Sequence, residues 1–291
     1  MSQPSLPAAA QEAPTGPRRF LQAFQAPGFR WLWLSGMFAS VGWNVESMAQ
    51  GWLVLQLTDS PLWVGAVAGA RGLTQFLWSV PGGAIADRFD RRKLLLAVYL
   101  VTLATSVPML ALIFTNAIAA WHMLLFSAVG GVIAATNAPA SNTLTYDIVG
   151  ANHLLNASAF RFLGMSLVRI ASSLAGGFII AWTGVGGNYL LAMCACVVAF
   201  ACLLPLKPPA QQSRRDEPLT QAMRAGLRYA MRTQAVRRLL FLSLVTEFFG
   251  FAYLWMMPVM ARDVLGVGAR GLGLLSAMAG VGQLLAMSAL A

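Results

Sequence analysis

Apolar runs long enough to cross a bilayer recur along this chain, and they constrain its fold more than any other feature. A helix rising 1.5 Å per residue needs about 20 mainly apolar residues to span the hydrocarbon core. Eight segments qualify, at roughly 31–57, 63–86, 94–115, 120–147, 158–182, 188–206, 238–261 and 271–291. Only 10% of the 291 residues are charged, against about a quarter in a soluble domain. The chain therefore reads as an all-α, polytopic membrane protein. Residues 1–28 form a polar, Pro-rich tail, expected to be disordered and cytoplasmic, and it lacks the apolar stretch of a cleavable signal.

The formal net charge of +10 follows the membrane rather than a nucleic acid, because the basic residues gather in the segments between spans. Arg18, Arg19 and Arg30 precede the first span, and Arg88, Arg91, Arg92 and Lys93 follow the second. Lys207, Arg214, Arg215, Arg224, Arg228, Arg232, Arg237 and Arg238 lie on the long connection, so fifteen fall on one side. The other side has Arg262 and Arg270 alone. Such asymmetry predicts a cytoplasmic N-terminus in a multi-pass protein of the cell (inner) membrane.

Within the connection 207–237, Leu219, Met223, Leu227 and Met231 recur every four residues, with Arg224, Arg228 and Arg232 one position on. That pattern predicts a helix lying in the cytoplasmic interface or, alternatively, a solvated linker helix. Cys194, Cys196 and Cys202 all fall in one apolar run and read as small hydrophobes. His122 and His153 sit on opposite sides without ligand spacing. Neither a metal nor another cofactor is expected, and no nucleotide-binding loop or catalytic set is visible. The chain does not read as an enzyme.

A shift of 208 residues brings span seven onto span one and span eight onto span two without a gap. Arg30 then falls on Arg238, Gly42 on Gly250, Gly65 on Gly273, Gly72 on Gly280 and Gln75 on Gln283. Internal repeats of this kind mark transporters whose halves meet around a central site. The expected organisation is a six-helix N-terminal half at 29–206, a linker at 207–237, and the first two helices of a second half at 238–291. A complete second half would run about 120 residues past Ala291, so the chain is expected to stop short of it.

The loop after span two reads Gly83-Ala84-Ile85-Ala86-Asp87-Arg88-Phe89-Asp90-Arg91-Arg92-Lys93. It resembles the signature loop of the major facilitator superfamily, with Asp90 where the family usually has glycine. Thr58-Asp59-Ser60-Pro61, Asn137-Ala138-Pro139-Ala140 and Leu154-Leu155-Asn156-Ala157 extend the resemblance toward the enterobactin-exporter and macrolide-efflux branch. The resemblance covers 29–291. It implies a major-facilitator-type bundle that exports a small amphipathic compound, drug or siderophore in type, in exchange for protons by alternating access. It also implies that Arg91 pairs with Asp147, and that Asp87 faces a helix N-terminus in the second half. Gly83, Asp87, Arg88, Arg91, Arg92 and Asp147 would then form a gating cluster. The Gly-Pro pair that many exporters carry in span five is replaced here by Ser172-Ser173, so antiport does not follow from span five itself.

Four charges sit inside the spans several residues from any edge: Glu46, Arg71, Arg169 and Glu247. An ionisable group at mid-bilayer is costly and normally faces the bundle interior, where it pairs or lines a wet cavity. Glu46 lies about 16 Å, and Arg71 about 12 Å, from the outer ends of their spans. Glu46 could pair with Arg71 or Arg169, acting either as a proton or cation site or as a fixed structural pair. Glu247 is the second candidate, and Arg161 reads as a snorkelling residue without a role. The partners implied are a small-molecule substrate, protons and lipid, with no obligate protein partner. Two rival readings are a permease importing a metabolite and a truncated, non-transporting fragment.

Overall fold

The computed structural model describes residues 26, 28–207, 226, 228–246, 249 and 252–290, and every described element is helical. Six long helices come first: α1 (Phe29–Thr58), α2 (Pro61–Arg88), α3 (Arg91–Phe114), α4 (Ala120–Ala151), α5 (His153–Thr183) and α6 (Val185–Leu203). After the connection come α7 (Gln234–Val245), α8 (Ala252–Val259), which runs into a π turn at Met260–Val264, and α9 (Gly268–Leu290). Five of these helices, α3 to α6 and α9, are both long and apolar enough to cross a membrane. The chain is thus a multi-pass membrane protein. α1 and α2 are longer than most of those five, carry Glu46 and Arg71 respectively, and are not among them.

Helix boundaries follow local chemistry. α1 ends where Asp59 turns left-handed (φ 47°), and Pro61 opens α2 in the first-turn position that needs no amide hydrogen. Asp90, the departure from the signature pattern, caps α3 by accepting a hydrogen bond from the Lys93 amide at 3.0 Å. The sequence suggested a loop of about ten residues between spans four and five. Instead the two helices meet at Gly150, whose φ of 70° suits glycine and reverses the chain at once. Gly184 (φ 76°) shortens the next connection to a single residue in the same way. Span seven is divided between α7 and α8, with the residues between them only partly described. Most of the proposed interfacial helix, residues 219–225 and 227, lies outside the described residues, whereas 228–232 is helical and mainly exposed.

The bundle closes where small residues and short hydroxyls let backbones approach, the usual means of helix packing in lipid. α2 meets α4 through Ser127, which donates to the Val67 carbonyl at 2.7 Å, and Thr74, which donates to the Ala128 carbonyl at 2.9 Å. A Cβ on Gly131 would clash with the Arg71 carbonyl. α1 meets α6 through Ser35, donating to the Ala199 carbonyl at 2.8 Å, and through Asn188, donating to the Val45 carbonyl at 3.3 Å. α9 crosses α5 at Gly177 and Gly273, where a Cβ on Gly177 would sit 2.7 Å from the Gly273 Cα. One apolar cluster around Leu95, Leu144 and Leu203 fills the end carrying Arg88–Lys93. Another, around Trp52, Leu55, Met123 and Leu272, fills the opposite end.

Candidate transport cavity

A cavity of about 1080 Å³ lies between these clusters. Its walls come from α1 to α6, with α8 and α9 contributing Trp255, Pro258, Leu272 and Ser276. The lining reaches Leu32 on α1 and Leu154 on α5 at the basic end. Toward the other end it stops at Gly51 and Ser173, several residues before those helices finish.

Three of the four intramembrane charges singled out from sequence face this cavity: Glu46, Arg71 and Arg169. Arg71 is 6% exposed, and its guanidinium lies 5.9 Å from the Trp43 ring centroid, one turn before Glu46. A Cβ on Gly130 would come within 2.9 Å of that guanidinium, so glycine there leaves room for it. Glu46 and Arg71 share the cavity wall, yet no ion pair within 4.0 Å joins Glu46 to either arginine among the described residues. Arg169 instead donates to the Gln283 side-chain oxygen on α9 at 3.4 Å. Glu247 lies outside the described residues.

Other lining residues were not apparent from sequence. The side-chain oxygens of Gln50, Asn137 and Tyr189 are buried without a hydrogen-bond partner in the cavity wall. An orphaned buried polar atom costs about 1–3 kcal/mol, so a wall with three of them suits a solvated or ligand-filled cavity better than a packed core. Arg161 also lines the cavity and does not snorkel. It donates to Asn142 Oδ1 (3.1 Å), Thr145 Oγ1 (2.9 Å) and Ser141 Oγ (3.2 Å) on α4. The only sequence signal for that setting is the polar run on α4 facing an arginine across a one-residue reversal.

At the basic end, Arg91 of α3 pairs with Asp147 of α4, both side chains largely buried. Its neighbour Arg92 donates to the Leu203 carbonyl at 3.0 Å and the Leu204 carbonyl at 2.6 Å, occupying the C-terminus of α6 where a cation is favoured. Asp87 is exposed and has no hydrogen bond or ion pair among the described residues. Arg88 and Gly83 are half-buried, and nothing lies within 4 Å of a Cβ placed on Gly83.

The opposite end has a second ion cluster. Arg262, in the π turn, donates to Asp59 Oδ1 and to the Leu55 carbonyl, each at 2.9 Å, and to Asp263 at 2.6 Å. This cluster joins the α1–α2 corner to the segment after α8, with residues about 200 positions apart in contact.

A multi-pass helical bundle with a cavity between its helices, and a charged corner between the second and third, is an arrangement of the major facilitator type, a class of transporters and not of enzymes. The chain belongs to the transmembrane secretion effector family of the major facilitator superfamily, whose profile matches residues 20–291. Among curated proteins it is similar to the enterobactin exporters of Escherichia coli O1:K1 and Shigella boydii serotype 18. Each is 27% identical over 215 residues, covering 72% of this chain and 50% of the relative. The chain spans about half the length of the curated relatives it matches.

Proposed function

We propose that this protein exports a small amphipathic compound across the cell membrane in exchange for protons, by alternating access. The observation that carries the reading is Glu46, the one carboxylate among the described residues lining a cavity whose other walls hold three arginines, aromatics, aliphatics and neutral polar groups. An intramembrane carboxylate without an ion pair can change protonation state as the cavity fills and empties, which a locked pair cannot do readily. Export as the direction is supported by the enterobactin exporters among the relatives.

In this reading all eight apolar segments span the bilayer, with 29–206 as one six-helix half and 238–291 as two helices of a second. The fifteen basic residues on one side support a cytoplasmic N-terminus, so the cavity lining extends to the cytoplasmic end. Gly83, Asp87, Arg88, Arg91, Arg92 and Asp147 act as the cytoplasmic gating cluster. Glu46 carries the proton, while Arg71 tunes it through the Trp43 side of the cavity. Arg169 and Glu247 flank the path of the substrate.

Reconstituted protein in proteoliposomes under an imposed pH gradient tests the reading, with enterobactin as the probe. Gradient-driven accumulation of the probe is expected, and Glu46→Gln should abolish its dependence on the gradient. Unimpaired, pH-dependent transport by Glu46→Gln would falsify the proton role.

A further inference from the structure

The charges around the cavity do not balance. Arg71, Arg161 and Arg169 line it together with one acid, Glu46. Of the other acidic residues inside the spans, Asp147 sits at a span end, is paired with Arg91 and is not in the lining, and Glu247 lies outside the described residues. Arg161 is held most firmly of the three cations. Its three hydrogen bonds all go to neutral oxygens on one stretch of α4, two hydroxyls and an amide. Neutral dipoles fix where the guanidinium points, but they leave its charge without an ionic partner among the described residues. A positioned cation without a counter-ion is an anion site awaiting its occupant.

The surroundings are apolar on the side not used by α4. Phe162 and Met165, beside Arg161 and one turn on, are 53% and 42% exposed and also line the cavity. Trp33 lines the cavity from α1, and its indole donates to the Phe160 carbonyl at 3.3 Å. A ligand engaging both features needs an acidic group and an aromatic or aliphatic body.

We propose that the cavity is selective for amphipathic anions, and that Arg161 is the residue that recognises the anionic group. The inference rests on the transporter reading only in taking this cavity as the substrate site. It goes further in assigning the charge of the substrate and the residue that selects it.

The test is equilibrium dialysis of three probes of matched shape against the full chain in phosphatidylcholine nanodiscs, with empty nanodiscs subtracted. The probes are 2-naphthoate, 2-naphthamide and 2-naphthylmethylammonium. Naphthoate should bind at least tenfold more tightly than the amide, and the ammonium most weakly. Arg161→Gln should lower naphthoate affinity to about that of the amide, with amide binding still detectable as the sign that the cavity is intact. Arg161→Lys should keep part of the preference, since it keeps the charge and loses the forked geometry. Equal binding of all three probes overturns the proposal, as does a naphthoate preference that survives Arg161→Gln. These outcomes separate from those for transport. Anion preference without gradient-driven transport sinks the functional reading alone, whereas transport without the preference sinks the anion assignment alone.

Discussion

The two ends of the bundle are held by different kinds of contact. At the basic end, Arg91–Asp147 and the Arg92 bonds to the end of α6 tie α3 to α4 and α6, all within the first six helices. At the opposite end, Arg262 reaches from beyond α8 back to the α1–α2 corner, and α9 lies directly on α5 at Gly177 and Gly273. Pro258 also lies so near Gly51 of α1 that a Cβ there would approach within 2.9 Å. The described contacts joining the early helices to the late ones run from this end to mid-bundle, where Gly280 packs on Ile170 and Arg169 meets Gln283, and the cavity lining reaches the other end. A bundle built this way can present its cavity to the far side only if the Arg262 end separates.

The comparison breaks most sharply at the α5–α9 crossing. Gly177→Leu should drive a side chain into the α9 backbone and lower stability by about 1–3 kcal/mol or more, because a packed crossing tolerates added volume poorly. The thermal midpoint in detergent should fall clearly. Gly72→Leu, at the position related to Gly280 by the 208-residue shift and with nothing within 4 Å, should leave it nearly unchanged. Equal midpoints for the two variants would show that the crossing is not tight.

Asp147→Asn comes next, since it leaves a largely buried guanidinium on Arg91 without its anion. A loss of about 1–2 kcal/mol is expected, and the double variant with Arg91→Gln should recover part of it. If the double variant is no better than the single one, the two residues are not coupled. Asp90→Ala removes the α3 cap and should cost about 1 kcal/mol, readable as a lower urea midpoint, whereas Asp90→Asn should retain most of the stability.

The smallest effect on stability belongs to Arg262→Gln, about 0–1 kcal/mol, because Asp59 is 82% exposed and its pair is screened by solvent. Its effect on access should be larger. A Ser276→Cys thiol in the cavity wall should react faster with a membrane-impermeant maleimide added on the Arg262 side once that contact is lost. No change in labelling rate would mean that the glycine crossing alone keeps this end closed.

Much of the architecture is legible in one dimension. Asp59-Ser60-Pro61 marks the first corner, and Gly184 lies where the α5–α6 reversal falls. The abrupt turn at Gly150 is harder to read, because neighbouring residues 148–157 look like a polar loop until the helices are seen to continue through them. Glu46 and Arg71 stand out by charge in apolar runs. Arg161 does not, because three residues from the edge of span five its sequence context suits snorkelling as well as a cavity. The Asp59–Arg262 contact is invisible for a different reason: it depends on how the late helices dock against α1.

By itself the sequence determined that this is a multi-pass, helical membrane protein of the transporter superfamily. The length of an apolar run and the charge between runs are properties read along the chain, and the bilayer responds to them directly. The tertiary structure alone decided which polar residues share a cavity and which ends are bound together. Helix rotation is set by where small residues such as Gly131, Gly177 and Gly273 let backbones meet. That rotation turned Arg161 toward the cavity and left its charge without an acid beside it.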